Sequence, residues 1–381
     1  MTELGRDIHE EILLRLQVND LIRCKSVCKS WNSLISSPRF VKSQIKRHSN
    51  EIGDTRIIVS DGASSRCHDC FYLGVHECQL LGSSNGLVCI SCYDTNFLVV
   101  NPSTREVKEL INHPDDDYRV AVYVSGFGYD SSIDDYKVVI GHRCNPNDLL
   151  EFNVLELKTN IWRPLKTNIW GFAVVESDYE YLEGNGILCN GALHWLHQDI
   201  DNFVIVSFDL SKEVFKKTAL PKLDDKWNLG TVTDRLCVFR FPNTDLKEIE
   251  IWVMRNDQVS WERKLLPPGY DTNKTTILGY IPHRNILSGN VHIWLLEEGS
   301  GAPVLVRSID HPHDEHIRPS HEHIRLSTYS ECNYNYDEHV FVKSLVSPHG
   351  MGNENGSCNE ESEEKKAKRD LSRWYWEERE E

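Results

Sequence analysis

The sequence predicts a small all-α unit of three to four helices, then an all-β propeller of about six blades, then a charged tail. Three observations carry this. Helical apolar spacing is confined to the first fifty residues, short alternating strands run from about residue 55 to 346, and one hairpin unit recurs through the strand region. The 381 residues, 40% of them hydrophobic, with ten Trp, fourteen Tyr and twelve Phe, are enough for a sizeable core. No stretch approaches the roughly eighteen apolar residues of a membrane-spanning helix. Arg6, Asp7, Glu10 and Glu11 interrupt the first dozen residues, unlike a secretory signal, so the chain is expected to stay inside the cell. Its twelve cysteines are then expected to be reduced, small, buried hydrophobes, and the sequons at Asn273 and Asn355 to carry no sugar. Net charge is −16; residues 1–50 hold nine Lys or Arg against five Asp or Glu, so the rest is strongly acidic. Such a chain repels a phosphate backbone, which argues against a nucleic-acid partner.

In the first fifty residues, Asp7 with Glu10 three positions on reads as a capping box, and Ile8, Ile12, Leu13 and Leu16 fall on one face of a first helix. Asn19 or Asp20 can cap the next, along which Leu21, Cys24, Val27, Cys28, Trp31, Leu34 and Ile35 repeat at three- and four-residue steps. Ser37-Pro38 reads as an N-cap with proline at the first helical position, opening a further helix to about His48. A unit this short cannot bury both faces, so part of its apolar surface is expected to meet another protein.

From residue 55 the texture changes. Ile249, Ile251 and Val253 alternate along one face, and Phe203 to Phe208 is an apolar run interrupted only by Ser207. The recurring unit is an apolar strand, a polar turn and a strand ending in a bulky residue and Leu or Pro. It occurs at 98–110, 154–165, 206–221 and 251–267, each expected to be the outer hairpin of one blade. Glycines at 86, 126, 186, 230 and 279 are expected to open the preceding strands, with an irregular period of about 40–60 residues; about 300 residues at the kelch-like period of about 50 give roughly six blades. A β-sandwich is the alternative, but self-similar hairpins favour radial repetition. Ring closure is expected from Arg56 to Val59 and His339 to Val346, the last strand returning near Leu87 to Val100. Leu157-Lys-Thr-Asn-Ile-Trp162 recurs as 165–170, and 314–318 is nearly repeated at 321–325; one copy of each is expected in the framework. The tail, 347–381, is Gly/Asn/Ser-rich and then charged, and cannot build a core alone. Its run Lys365 to Arg369 is either a nuclear import signal or a solvated charge run.

With Leu4, Asp7, Ile8, Ile12, Leu13, Leu16, Leu21 and Val27-Cys-Lys-Ser-Trp31 in view, residues 3–46 resemble the plant F-box motif. Gly82-Ser-Ser-Asn-Gly-Leu87, Asn101-Pro-Ser-Thr-Arg105, Gly126-Phe-Gly-Tyr-Asp130 and Asp134-Asp-Tyr-Lys-Val-Val139 are similar to the F-box-associated kelch-like domain of plants, expected over 55–346. That domain occurs in defence-regulating and S-locus F-box proteins, and the charged tail is more similar to the defence-regulating branch. The resemblance implies a non-catalytic substrate receptor in a Skp–cullin–F-box ubiquitin ligase of cytoplasm and nucleus. Leu4, Ile8, Ile12, Leu13, Leu16 and Leu21 would face the Skp-type adaptor, and through it a cullin, while Val27 and Trp31 would knit the F-box core. The bound protein target would be a plant immune receptor or, failing that, a pollen-rejection ribonuclease. Gly5 and Gln17 stand where the family usually has proline, which implies less rigid helix starts and weaker adaptor binding.

Three chemical readings compete with this and fall short. Gly82 to Gly86 matches a nucleophile elbow with Ser84 as nucleophile, but a strand, not the required helix, follows it. Cys67, Cys70, Cys89 and Cys92 match a zinc-ribbon spacing; yet residues three apart in a strand point to opposite faces, so one ion cannot reach both Cys89 and Cys92. His311, His313, His316, His321 and His323 could hold a soft divalent metal, although an exposed duplicated loop is the simpler reading. No catalytic residue, cofactor or metal is expected.

Overall fold

The computed structural model describes residues 3–48, 55–60, 65–67, 71–73, 78–92, 96–112, 121–143, 151–165, 184–199, 202–221, 227–232, 235–240, 249–255, 260–266, 276–277, 290–296, 303–310 and 337–350. Four helices come first: α1 (Glu3–Leu13), α2 (Val18–Cys24), α3 (Lys29–Ile35) and α4 (Pro38–His48). Because α1 begins at Glu3, Asp7 lies one turn inside it rather than at its cap. The expected second helix is two helices, broken where Cys28 adopts extended backbone at φ −160° and ψ 161°. Apolar spacing runs across that break because both halves bury the same stripe: Leu21 of α2 and Ile35 of α3 are each fully covered. The N-cap of α2 is Gln17, not Asn19 or Asp20, and no side chain caps it. Its φ of −67° is the angle a proline ring would impose, so the missing ring costs pre-organisation without changing the path of the chain. Ser37 does cap α4, its Oγ accepting the Phe40 N–H at 3.3 Å.

Among the described residues the strands form six sheets. The first holds β1 (Thr55–Ser60), β2 (Ser65–Cys67) and β3 (Phe71–Leu73); the second β4 (Cys78–Ser84), β5 (Leu87–Cys92), β6 (Asn96–Asn101) and β7 (Glu106–Glu109). The third holds β8 (Ala121–Asp130), β9 (Asp135–Arg143), β10 (Glu151–Glu156) and β11 (Ile161–Pro164), with β12 (Gly184–Asn185) added in parallel beside β8. The fourth contains β13 (Ile187–Cys189), β14 (Ala192–Asp199), β15 (Asn202–Asp209) and β16 (Val214–Ala219). The fifth contains β17 (Asn228–Val232), β18 (Arg235–Arg240), β19 (Ile249–Met254) and β20 (Trp261–Leu266); the sixth β21 (Thr276–Ile277), β22 (Asn290–Leu296) and β23 (Pro303–Asp310). Leading strands of successive sheets adjoin, β4 beside β8, β8 beside β13 and β13 beside β17, as blades around an axis do.

The four recurring sequence units are the hairpins β6–β7, β10–β11, β15–β16 and β19–β20. In the first three the turn is the same device, which is why the sequence repeats. An amide four residues on closes each turn, Arg105 N–H to Asn101 O at 2.9 Å, Asn160 N–H to Glu156 O at 2.8 Å and Glu213 N–H to Asp209 O at 2.8 Å. The donor residue sits at positive φ each time, 60°, 52° and 54°. Tighter turns join β4 to β5 and β13 to β14, where Asn85-Gly86 and Asn190-Gly191 are all at positive φ, the pattern of a type I′ hairpin.

The glycines are not all strand openers. Gly86 is in a turn, Gly126 lies in the middle of β8, Gly186 separates β12 from β13, Gly230 is inside β17, and Gly279 falls outside the described residues. Gly186 serves close approach, since a Cβ there would lie 2.7 Å from the indole of Trp195.

The last strand, β24 (Asp337–Val342), pairs antiparallel with β1 along all six residues, from Thr55 opposite Val342 to Ser60 opposite Asp337. Its partner is therefore the first strand of the domain, not a strand within 87–100. The residues just beyond it do return to that blade: Leu345 and Val346 are buried in one cluster with Leu87, Cys89, Phe97 and Val99. Asn101 Nδ2 donates to Ser344 O at 3.0 Å and to Val346 O at 2.7 Å. The same apolar cluster includes Leu13, Leu21, Ile35 and Phe40, so the helical unit is seated on the propeller. Of the duplicated hexapeptide, the first copy is framework, with Leu157 and Trp162 buried; 166–170 and 311–325 lie outside the described residues.

Candidate functional site

The helical unit is anchored on one side and apolar on another. Leu13, Leu14, Val18, Leu21, Leu34, Ile35, Phe40 and Val41 are buried in the shared cluster, and Leu16 and Trp31 pack against it half-covered. On the outer side Ile8 and Ile12 are each 55% exposed and Val27 is 64% exposed. Ile8 and Ile12 are one helical turn apart, so they share a face of α1, and Leu4 stands one turn earlier in the same helix. Leu13 and Leu21 thus face the interior of this chain, in a buried cluster that runs from the helices' own Leu34, Ile35 and Phe40 to Leu81 and Leu87 of the propeller. Val27 faces out in the turn between α2 and α3, just before the break at Cys28. Among the predicted residues, Ile8, Ile12 and Val27 are open surface, Leu13 and Leu21 lie beneath it, and Leu16 and Trp31 sit between. The Leu4 side chain lies outside the described set.

Charges frame this surface and fix α1 on α4. Arg47 Nη1 lies 3.0 Å and Arg15 Nη2 3.3 Å from Glu11 Oε1, and Arg39 Nε lies 3.6 Å from Glu10. The Arg47 and Arg15 bonds hold the Glu11 carboxyl below its ordinary range. Near the exposed Val27, Cys28 sits at the start of α3, and its thiol is lowered by hydrogen bonds from the Ser30 hydroxyl and the Trp31 N–H. At the seam with the propeller, burial pushes the Lys25 ammonium down, with Glu106 opposing it.

The candidate elbow serine has no such role open to it. Ser84 is 7% exposed, its Oγ accepts the Tyr129 N–H at 3.2 Å, and β5 follows directly after the turn. Cys89 and Cys92 both lie in β5, with Cys89 buried in the apolar cluster; Cys70 and the histidine run 311–323 lie outside the described residues. On the propeller rim, Ile111 and Ile161 are 53% and 64% exposed and adjoin, since Asn160 Oδ1 accepts the Ile111 N–H at 3.1 Å. Hydrophobic periodicity could not have found this pair, because each is a single residue at the end of its run. Among the described residues no helix is long and apolar enough to cross a membrane.

Comparison with known proteins agrees with this arrangement. Residues 1–43 match the F-box domain and residues 45–300 the F-box associated beta propeller domain. The F-box protein CPR1 of Arabidopsis thaliana is 30% identical over 304 residues, covering 69% of this chain and 72% of that protein. The F-box/kelch-repeat protein At3g23880 of the same plant is 30% identical over 302 residues, covering 70% and 80%. F-box protein At4g22390, also from Arabidopsis thaliana, is 27% identical over 301 residues, covering 69% and 73%. A four-helix unit seated on a propeller of antiparallel blades, matched by both domain families along most of its length, makes this chain a member of the F-box proteins that carry an F-box-associated β-propeller.

Proposed function

We propose that this protein is the substrate-recognition subunit of a Skp–cullin–F-box ubiquitin ligase, docking on a Skp-type adaptor through its helices and holding the target on its propeller. The observation that carries the reading is the exposed pair Ile8 and Ile12 on one face of α1, with Val27 exposed in the same unit, whose buried side chains share one cluster with the propeller. Neighbouring apolar side chains left in water support an interaction surface there. The half-covered Leu16 belongs with this docking unit, Leu13 and Leu21 are buried within it, and Leu4 is assigned to docking by the family resemblance. The protein contributes no catalytic group, cofactor or metal; ubiquitin transfer is carried out by its partners. An immune receptor is the target class to which the family resemblance leads, in cytoplasm and nucleus.

The test is capture of a purified Skp-type adaptor by the full chain. Replacing Ile8 and Ile12 together by Glu should weaken capture at least about thirtyfold, roughly 2 kcal/mol, with the melting temperature unchanged, because both residues are exposed before binding. Undiminished capture by that variant would sink the docking assignment.

A further inference from the structure

We propose that the segment Gly126 to Val139 is the joint that holds the helical unit in one orientation on the propeller, with Lys42 and Asp134 as its positioning pair. The idea rests on the reading above, in which helices and propeller hold two different proteins, so that their mutual direction decides where a target is presented. The segment is held by the blades on both sides of it. From the preceding blade, Ser84 Oγ accepts the Tyr129 N–H at 3.2 Å and Asn85 Nδ2 donates to the Tyr136 hydroxyl at 3.2 Å. From the following blade, Ser211 Oγ donates to Asp130 Oδ1 at 2.8 Å, and Lys137 Nζ donates to Leu210 O at 2.6 Å and to Glu213 Oε1 at 2.8 Å. Within its own blade, Lys137 Nζ donates to Asp130 Oδ2 at 2.8 Å and Lys158 N–H to Asp135 Oδ2 at 2.9 Å.

Gly126 and Gly128 let this strand close on its neighbour, since a Cβ on them would lie 2.7 Å from Leu193 and 2.7 Å from Leu188 and Leu210. The Phe127 and Tyr136 rings stack with centroids 5.6 Å apart. The result is an exposed turn at 131–134 whose two flanks, Tyr129-Asp130 and Asp135 to Lys137, are hydrogen-bonded to both neighbouring blades or within their own. It carries Asp134 at φ 53°, whose carboxylate accepts the Tyr129 hydroxyl and, from helix α4, the Lys42 ammonium at 2.9 Å.

The packed apolar contact between helices and propeller supplies the adhesion, and a charge-assisted hydrogen bond adds a directional restraint to it. Lys42 and Asp134 are about half-exposed, with side chains 50% and 48% accessible, so they add little adhesion. Their contribution is geometric: a rigid turn presents one fixed acceptor to one point on α4.

The experiment uses the full chain with a donor and an acceptor dye on unnatural residues at Asn32 and Lys216, both exposed. The wild type should give one narrow energy-transfer distribution. Asp134→Lys and Lys42→Asp should each broaden it about twofold with little change in melting temperature, and the double swap Lys42→Asp with Asp134→Lys should narrow it again. A merely structural contact would shift the melting temperature and gain nothing from the swap. Unchanged width in both single variants, or a swap that fails to restore it, overturns the proposal. Adaptor capture by the wild-type chain is measured in parallel: its absence counts against the docking reading alone, since the dye distributions are recorded without adaptor.

Discussion

His194 illustrates how single residues carry the stability of this propeller. Burial lowers its imidazole to about 4, with the bond to Cys189 O opposing that shift. The neutral ring is held at both nitrogens, 2.7 Å from Ser207 Oγ and 3.2 Å from Cys189 O. A histidine depressed in the folded state binds its proton more readily when unfolded, so stability is complete above pH about 6.5 and falls as pH drops towards about 4. The contribution at stake is on the order of 3 kcal/mol. Thermal melts from pH 7 to pH 4 should therefore show a shallower decline for His194→Gln than for the wild type; parallel curves would remove His194 from the acid response. Gly186 gives a second test at this scale. Trp195 is 1% exposed and its Nε1 donates to Ser125 O at 3.0 Å, so the indole has no room to retreat from an added methyl. Gly186→Ala should cost about 1–3 kcal/mol by overpacking, read as a lower denaturant midpoint at unchanged slope.

Among the elements, β24 decides whether the ring is closed. It hydrogen-bonds β1 along its full length, and the four residues after it, Lys343 to Val346, are all buried. Ending the chain at residue 338 removes most of that ladder together with Leu345 and Val346, whose burial is worth about 1.5–3 kcal/mol each. It also leaves the Asn101 amide without its two carbonyl acceptors. Against a total stability of about 5–15 kcal/mol this should unfold the domain, whereas ending it at residue 350 should leave the melting temperature unchanged. Equal melting temperatures for the two truncations would show that the ring closes elsewhere.

For the whole molecule, the shared apolar cluster is the deciding feature. Leu21 of α2 and Leu87 of β5 belong to one buried set, although the sequence suggests two domains joined by a short linker. Helices and propeller should therefore melt together. Leu21→Ala, at a position with no exposed surface, should cost about 2–5 kcal/mol and lower a single calorimetric transition. Two separate transitions, only one of them moved, would mean that the seam contributes nothing to cooperativity.

The sequence alone determined what depends on near neighbours along the chain. Helical spacing to residue 48, the Ser37 cap and the repeated turns at 101–105 and 209–213 are each encoded within about five residues, because hydrogen bonds and backbone preferences act over that range. The family motifs were legible for the same reason. Tertiary structure alone decided which side of each apolar stripe is covered. Leu13 and Leu21 face inward while Ile8, Ile12 and Val27 face water, because the buried cluster that holds the first two draws on residues from other helices and from a blade about sixty residues or more further on, beyond the reach of any periodicity. It also chose the partner of the last strand, pairing residues 337–342 with 55–60, and it brought Asp134 to Lys42. Contacts between residues so far apart in the chain are fixed only when the blades pack, since the side chains that select them come from separate sheets.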